Sequence, residues 1–356
     1  MAAYDAIIIG TGQAGPSLAF RLAGAGMKVA VVERHLVGGT CINTGCTPTK
    51  ALVASAYAAR TARRAAEYGV VIGGDIGIDM RRVKARKDAI VAASRNGLTS
   101  ALENAANITL YRGHARFASS QTVEIGGERL NAGRIFINVG GRALVPPMPG
   151  ISEVPYLTNS SMMDVDFLPR HLIIVGGSYI GLEFGQMYRR FGSQVTIIEM
   201  APRLVRHEDE DVSAAIKDII EREGVNVRLN AECISLSKRA DGIVAKVDCA
   251  AGTPEVAGSH VLLAVGRRPI PTISNSKKPE CTATSVATSS SMTDCEPLSR
   301  ASGLSETATA RAPSPTPLTT ISRSSLRICS TTARVESASV SPPMLFTPTR
   351  HWAASA

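Results

Sequence analysis

The stretch "AIIIGTGQAGPSLAFRLAGAGMKVAVVER", Ala6–Arg34, decides the architecture. An apolar run ends at Ile9. Gly10, Gly12 and Gly15 follow with the spacing G-x-G-x-x-G. An amphipathic helix comes next, then a second apolar run, Met27 to Val32, that closes on the acid Glu33. The first glycine makes the tight turn, the second lets a pyrophosphate approach the backbone, and the third lets the helix pack on the strand. The helix N-terminus then faces the phosphates. Glu33 is placed to accept from a ribose hydroxyl. Glycines alone are weak evidence. With strand, helix and acid in order, they read as a dinucleotide-binding βαβ unit and not as a plain turn.

The same device recurs in "HLIIVGGSYIGLEFGQMYRRFGSQVTIIEM", His171–Met200. Gly176 and Gly181 are its glycines and Glu199 its acid, while Ser178 stands where the middle glycine belongs. Two units imply two dinucleotides and two domains. The fold class is therefore α/β, with two Rossmann-like three-layer domains. Between the units, Ala51 to Tyr68 and Met80 to Ala106 have helical periodicity. Short strands follow in "ITLYRGHARF", "QTVEIGGERL" and "RIFINVGGRALVPPMPG". The Pro-rich turn near Gly150 makes a natural edge. The expected domains are 1–150 and 151–269.

Composition bounds the rest. At 44% hydrophobic and 19% charged, the chain is ordinary globular material with enough length for two cores. Its formal charge of +9 comes from scattered basic residues not interleaved with aromatics, so no nucleic-acid footprint is read. The N-terminal apolar run is too short for a membrane span and ends in glycines. Seven cysteines, without framework spacing, suit a reducing cytoplasmic compartment.

Two of those cysteines crowd "GGTCINTGCTPTK", Gly38–Lys50. A zinc site, a structural disulfide and a working redox pair are the readings. Cys41 and Cys46 supply only part of a tetrahedral zinc set, and no second pair or nearby His has suitable spacing. A structural disulfide does not suit the cytosol. A redox pair fits better. Cys46 precedes a long helix expected from about Pro48, and a helix N-terminus and Lys50 both lower a thiol pKa.

This stretch resembles the redox-active motif of the class I pyridine nucleotide-disulfide oxidoreductases. Those include dihydrolipoamide dehydrogenase, glutathione reductase and the catalytic core of mercuric reductase, and the mercuric-reductase-like branch is most similar. The resemblance runs from Met1 to about Pro269. It implies FAD on the first unit, through Gly10, Gly12, Gly15, Glu33, Gly39, Thr40 and Gly140. It implies NADH or NADPH on the second, through Gly176, Gly181, Glu199, Arg203 and Gly266. Cys46 would be the thiol beside the flavin and Cys41 the interchange thiol that meets the acceptor. Lys50 would sit near the flavin and pair with Glu183, and Tyr179 would cover the nicotinamide pocket. Read alone, Glu183 is a solvated helix acid and Tyr179 a core residue.

The implied reaction carries electrons from NAD(P)H through FAD to the Cys41–Cys46 disulfide, then to a disulfide or a soft metal ion. The acceptor stays open among dihydrolipoamide, other small disulfides, Hg(II) and Cu(II). Glu199 favours NADH, because an acid repels a 2′-phosphate, although Arg203 and Arg206 lie just beyond. Other readings are a truncated nucleotide-binding product without turnover, and a non-enzymatic NAD-binding module that has no use for the cysteine pair.

After "AVGRRP" the character changes. From Ile270 to Ala356 there is a single glycine, Gly303, and roughly a third of the residues are Ser or Thr, a composition that buries no core. The bland expectation is a disordered Ser/Thr/Pro-rich tail. Read one base out of phase, however, its codons permit "NTDDLELEKAGV", "PGIWALGDC" and "YALYTDPPLGRVG", strings the resembled family would show in that order. The expectation is an out-of-frame segment, 270–356, beginning near Pro269. A chain so altered lacks the family's second flavin-binding segment and its C-terminal dimerisation domain. Cys281, Cys295 and Cys329 then carry no chemistry, and Cys233 and Cys249 are expected to be buried and inert.

Overall fold

The computed structural model describes residues 1–248 and 254–270 and the short strand Ser302–Leu304. All of them fall within one compact unit, Met1–Pro313. Its two halves repeat one plan. In the first, a parallel sheet runs in the order Ser302–Leu304, Ile135–Ile137, Ala6–Ile9, Val29–Glu33, Ile108–Arg112. In the second, the order is Tyr156–Leu157, His260–Leu263, His171–Val175, Gln194–Ile198, Asn226–Arg228. The glycine-rich turn leaves the central strand in both cases.

Strands inside a parallel sheet are covered on both faces and read as unbroken apolar runs. Ile7 and Ile8 are fully buried, as are Ile173 and Ile174. Helix α1 (Ala14–Gly24) and its counterpart in the second half pack on these strands. Within the first half, between Val29–Glu33 and Ile108–Arg112, lie α2 (Gly39–Thr44), α3 (Cys46–Arg63) and α4 (Met80–Asn104); α5 (Tyr179–Phe191) and α6 (Glu210–Arg222) belong to the second half. Asp79 caps α4 by accepting from the Arg82 N–H at 3.0 Å, which fixes where it starts. Gly192, at φ +125°, ends α5.

The elements differ from expectation at three points. Helix α3 begins at Cys46, two residues before Pro48, so the thiol is inside the first turn. Its C-terminal end breaks at Arg63 into a 3-10 turn, Ala65–Tyr68. Ser302–Leu304, within the expected tail, adds a parallel strand beside Ile135–Ile137, satisfying a backbone edge that would otherwise lie open. The rest of the tail after Ile270, and with it the out-of-frame reading, lies outside the described residues. So do Cys249, Cys281, Cys295 and Cys329 and the side chain of Cys233.

Two short strands join the halves. Gly141–Ala143 pairs antiparallel with Arg267–Pro269. Among the described residues no helix is long and apolar enough to cross a membrane.

Candidate active site

The two glycine-rich turns are built alike. Gly10 and Gly176 have φ of +105° and +112°, the left-handed region where a side chain is strained. A Cβ on Gly10 would stand 2.2 Å from the Asn138 carbonyl oxygen, and one on Gly176 2.4 Å from that of Ala264. The third glycine rests on the first. A Cβ on Gly15 would meet Gly10 O at 2.2 Å, and one on Gly181 would meet Gly176 O at 2.0 Å. Ser178 is tolerated at the middle position because its backbone is extended, at φ −98° and ψ −174°.

The strand-end acids hold these turns. Glu33 Oε2 accepts from the Thr11 N–H at 3.0 Å and the Thr11 hydroxyl at 2.5 Å, and Oε1 accepts from the His35 N–H at 2.9 Å. Glu199 Oε2 accepts from the Gly177 N–H at 2.6 Å and Oε1 from the Ala201 N–H at 2.8 Å. A carboxylate offers about four lone-pair sites, so each acid keeps capacity for a ribose hydroxyl. The closely packed glycine turns and the spare acceptor sites of Glu33 and Glu199 together fit two dinucleotides.

The cysteine segment lies directly on the first turn. The Gly38 N–H donates to Thr11 Oγ1 at 3.1 Å. Gly39, at φ +57°, comes so close that a Cβ there would stand 2.8 Å from Gly12 Cα. Gln13, inside the turn, hydrogen-bonds the Cys41 sulfur. Asn43 braces α2 from within, donating to Val37 O at 3.0 Å and Gly39 O at 2.9 Å. Thr40 accepts from Arg267 at 3.3 Å, and the same guanidinium donates to Gly141 O.

Cys41 and Cys46 are free thiols that hydrogen-bond each other. Cys46 is pulled down to about 6, chiefly by the Cys41 hydrogen bond, with its own backbone N–H and the Lys50 charge adding to it. Burial and the Glu183 carboxylate oppose the drop. Cys41 is pushed well above the ordinary thiol range by the same hydrogen bond, by burial and by the Cys46 charge. The pair therefore shares one proton, with the thiolate at the helix start. The helix N-terminus and Lys50 alone do not account for this. The partner sulfur dominates, and Lys50 is largely answered by Glu183.

Lys50 lies one helical turn beyond Cys46 and forms an ion pair with Glu183 on α5. At the far end of α3, Arg63 donates to the carbonyls of Arg190 and Phe191, the latter at 3.3 Å. Helix α3 is thus clamped to the second half at both ends. Tyr179 opens α5, is 51% exposed, and donates its hydroxyl to Glu208. It is not the core residue that its type alone suggests.

The structure brings Gly10, Gly12, Gly15, Glu33, Gly39, Thr40, Cys41 and Cys46 into one continuous site. Gly140 and Gly266 take equivalent places after the strands Ile135–Ile137 and His260–Leu263, at φ +65° and +127°. Arg203 belongs to neither group. It pairs with Glu210 at 2.9 Å and, with Arg206 and Lys217, lines a cavity of about 720 Å³ past Glu199. Among the described residues no group of three or more His, Cys, Asp or Glu is placed to hold a metal. Thr11, Gln13, Asn138 and Arg267 were not singled out in the sequence. Thr11 and Gln13 fill the variable positions of the glycine motif, where residue type carries no signal.

Comparison with known proteins gives a consistent picture. The family model described as pyridine nucleotide-disulphide oxidoreductase matches residues 4–296, past Pro269. A dihydrolipoyl dehydrogenase of Acholeplasma laidlawii is 33% identical over 269 residues, covering 74% of this chain and 79% of that protein. A mercuric reductase of Bacillus cereus is 32% identical over 272 residues, covering 76% of this chain and 43% of that protein. The Cu(II) complex of the HOCl-induced flavoprotein disulfide reductase RclA from Escherichia coli is similar in structure, with a TM-score of 0.66 at 35% identity. That match covers 76% of this chain and 58% of RclA. The chain therefore spans about half the length of two of these relatives.

Proposed function

The chain belongs to the pyridine nucleotide-disulphide oxidoreductase family, and from that membership we propose that it is an FAD-dependent reductase passing electrons from NAD(P)H to Cys41 and Cys46. The family binds FAD, uses NAD(P)H, and acts on disulfide or metal-ion substrates. Residues 1–150 serve as the FAD domain and 151–269 as the NAD(P)H domain. FAD, when bound, relays two electrons from the nicotinamide to the disulfide.

The chain's own residues do the rest. Gly12, Gly15 and the start of α1 receive the phosphates, and Glu33 takes the ribose. Cys46, the sulfur on the flavin side, stays ionised at neutral pH once the disulfide is open. Cys41, the interchange thiol, passes its proton to Cys46 as it engages the acceptor, because the thiolate is the nucleophile. Lys50, held by Glu183, sets a positive charge one turn from the thiolate. Tyr179 covers the nicotinamide side, and Gly176, Gly181 and Glu199 hold the coenzyme. NADH is the favoured coenzyme: Glu199 repels a 2′-phosphate, and Arg203 pairs with Glu210 on the surface.

The observation that carries this reading is the seating of the Cys41–Cys46 segment on the first glycine turn, through Thr11 and Gly39. The test is coenzyme oxidation by the full chain with dihydrolipoamide's oxidised form, glutathione disulfide, Hg(II) and Cu(II) offered in turn. At least one should be reduced by wild type and not by Cys41→Ser. If none is reduced although flavin is bound, the reductase reading fails.

A further inference from the structure

Asn138 follows the strand Ile135–Ile137 and is only 4% exposed. Its backbone N–H donates to Ile9 O at 2.7 Å. Its side chain is another matter: neither Nδ2 nor Oδ1 has a hydrogen-bond partner. A buried carboxamide left entirely unpaired is uncommon, because water is lost at both ends and nothing replaces it.

The amide lies beneath the first glycine turn. Nδ2 is 2.9 Å from where a Gly15 Cβ would stand and 3.5 Å from that of Gly12. It occupies the room these two glycines leave. The second turn is an internal control. There Ala264 takes the place of Asn138, its carbonyl lying against Gly176 as that of Asn138 lies against Gly10. The second turn closes with the same geometry and no amide, so the fold does not require one. The chain carries an unpaired polar group under one dinucleotide turn only.

We infer that Asn138 is a cofactor-binding residue: its carboxamide donates, directly or through one enclosed water, to the diphosphate of FAD over Gly12. The contact is charge-assisted and therefore stronger than a neutral hydrogen bond. A half-turn of the amide exchanges donor and acceptor, so either end can serve. The inference rests on the first turn taking FAD.

The test uses the full chain with Asn138→Ala, which the Ala264 turn shows to be compatible with the backbone, and Asn138→Asp, which keeps the shape but brings negative charge towards the phosphates. FAD affinity is read from free-flavin fluorescence on dilution. The melting temperature of the flavin-free protein and NADH affinity are read alongside. Asn138→Ala is expected to weaken FAD about tenfold, with Asn138→Asp weaker still. Flavin-free Asn138→Ala should melt no lower than wild type, since it has lost an unpaired group, and NADH affinity should not change. FAD affinity within about twofold of wild type for either variant overturns the inference alone. So does a clear fall in the flavin-free melting temperature of Asn138→Ala, or its failure to fold, because the amide is then structural. Wild type that binds no FAD overturns this inference together with the proposed function.

Discussion

Lys50 on α3 and Glu183 on α5 form an ion pair that joins the cysteine helix of the first half to the nucleotide helix of the second. Lys50 is 67% exposed and Glu183 36%, so the pair adds only ~0–1 kcal/mol to stability. Its larger effect is on Cys46, which feels the two charges with opposite sign.

Removing either partner should therefore shift the Cys46 titration in opposite directions. Lys50→Met raises the pKa above its value of about 6, and Glu183→Gln lowers it. Thiolate absorbance of the reduced protein across pH checks both signs. The melting temperature should barely move. A shift of the same sign in both variants contradicts the assignment.

Cys41→Ala should have the largest effect on Cys46, because the Cys41 hydrogen bond is the main cause of its depressed pKa. A depressed pKa means the thiolate is lost only as pH falls through about 6. Without Cys41 that loss should move up towards the ordinary thiol value, ~8.5. Alkylation of Cys46 at neutral pH should slow only about two- to threefold, the smaller thiolate fraction just outweighing its greater intrinsic reactivity.

The turns can be broken one at a time. Gly15→Ala drives a Cβ onto Gly10 O, and Gly181→Ala does the same to Gly176 O. Gly15→Ala should lose FAD affinity by at least about tenfold and spare the coenzyme. Gly181→Ala should do the reverse. Equilibrium binding of each nucleotide to each variant gives the result.

Coenzyme choice tests Glu199. Wild type should have the higher kcat/KM with NADH. Glu199→Ser should narrow the ratio of NADH to NADPH by about tenfold, because the like-charge repulsion is gone. Part of the loss with NADH should come from the Gly177 and Ala201 N–H groups, which Glu199 now satisfies.

Much of this was legible in the sequence, and the reasons are local. Gly10, Gly15, Gly176 and Gly181 could be read because each is required by a backbone contact that no other residue permits. Val29–Glu33 and Gln194–Ile198 could be read because a doubly covered strand is a nearly continuous apolar run. The lowered Cys46 pKa was legible in direction and in two of its causes, the helix start and Lys50, but not in its largest, since the Cys41 contact depends on the break between α2 and α3 at Gly45. Asn138 and Arg267 were invisible for a similar reason. What matters about each is a neighbour far away in the chain, Gly12 and Gly15 for one, Thr40 and Gly141 for the other.

The central claim is that electrons from NAD(P)H reach Cys41 and Cys46 through FAD. The direct measurement starts from the oxidised full chain, loaded with FAD and given NADH or NADPH without air. The thiols are then alkylated and mapped by peptide mass. The account predicts that Cys41 and Cys46 both become labelled, only when FAD and coenzyme are present together. FAD-loaded, coenzyme-treated protein in which these two cysteines stay unlabelled would contradict it.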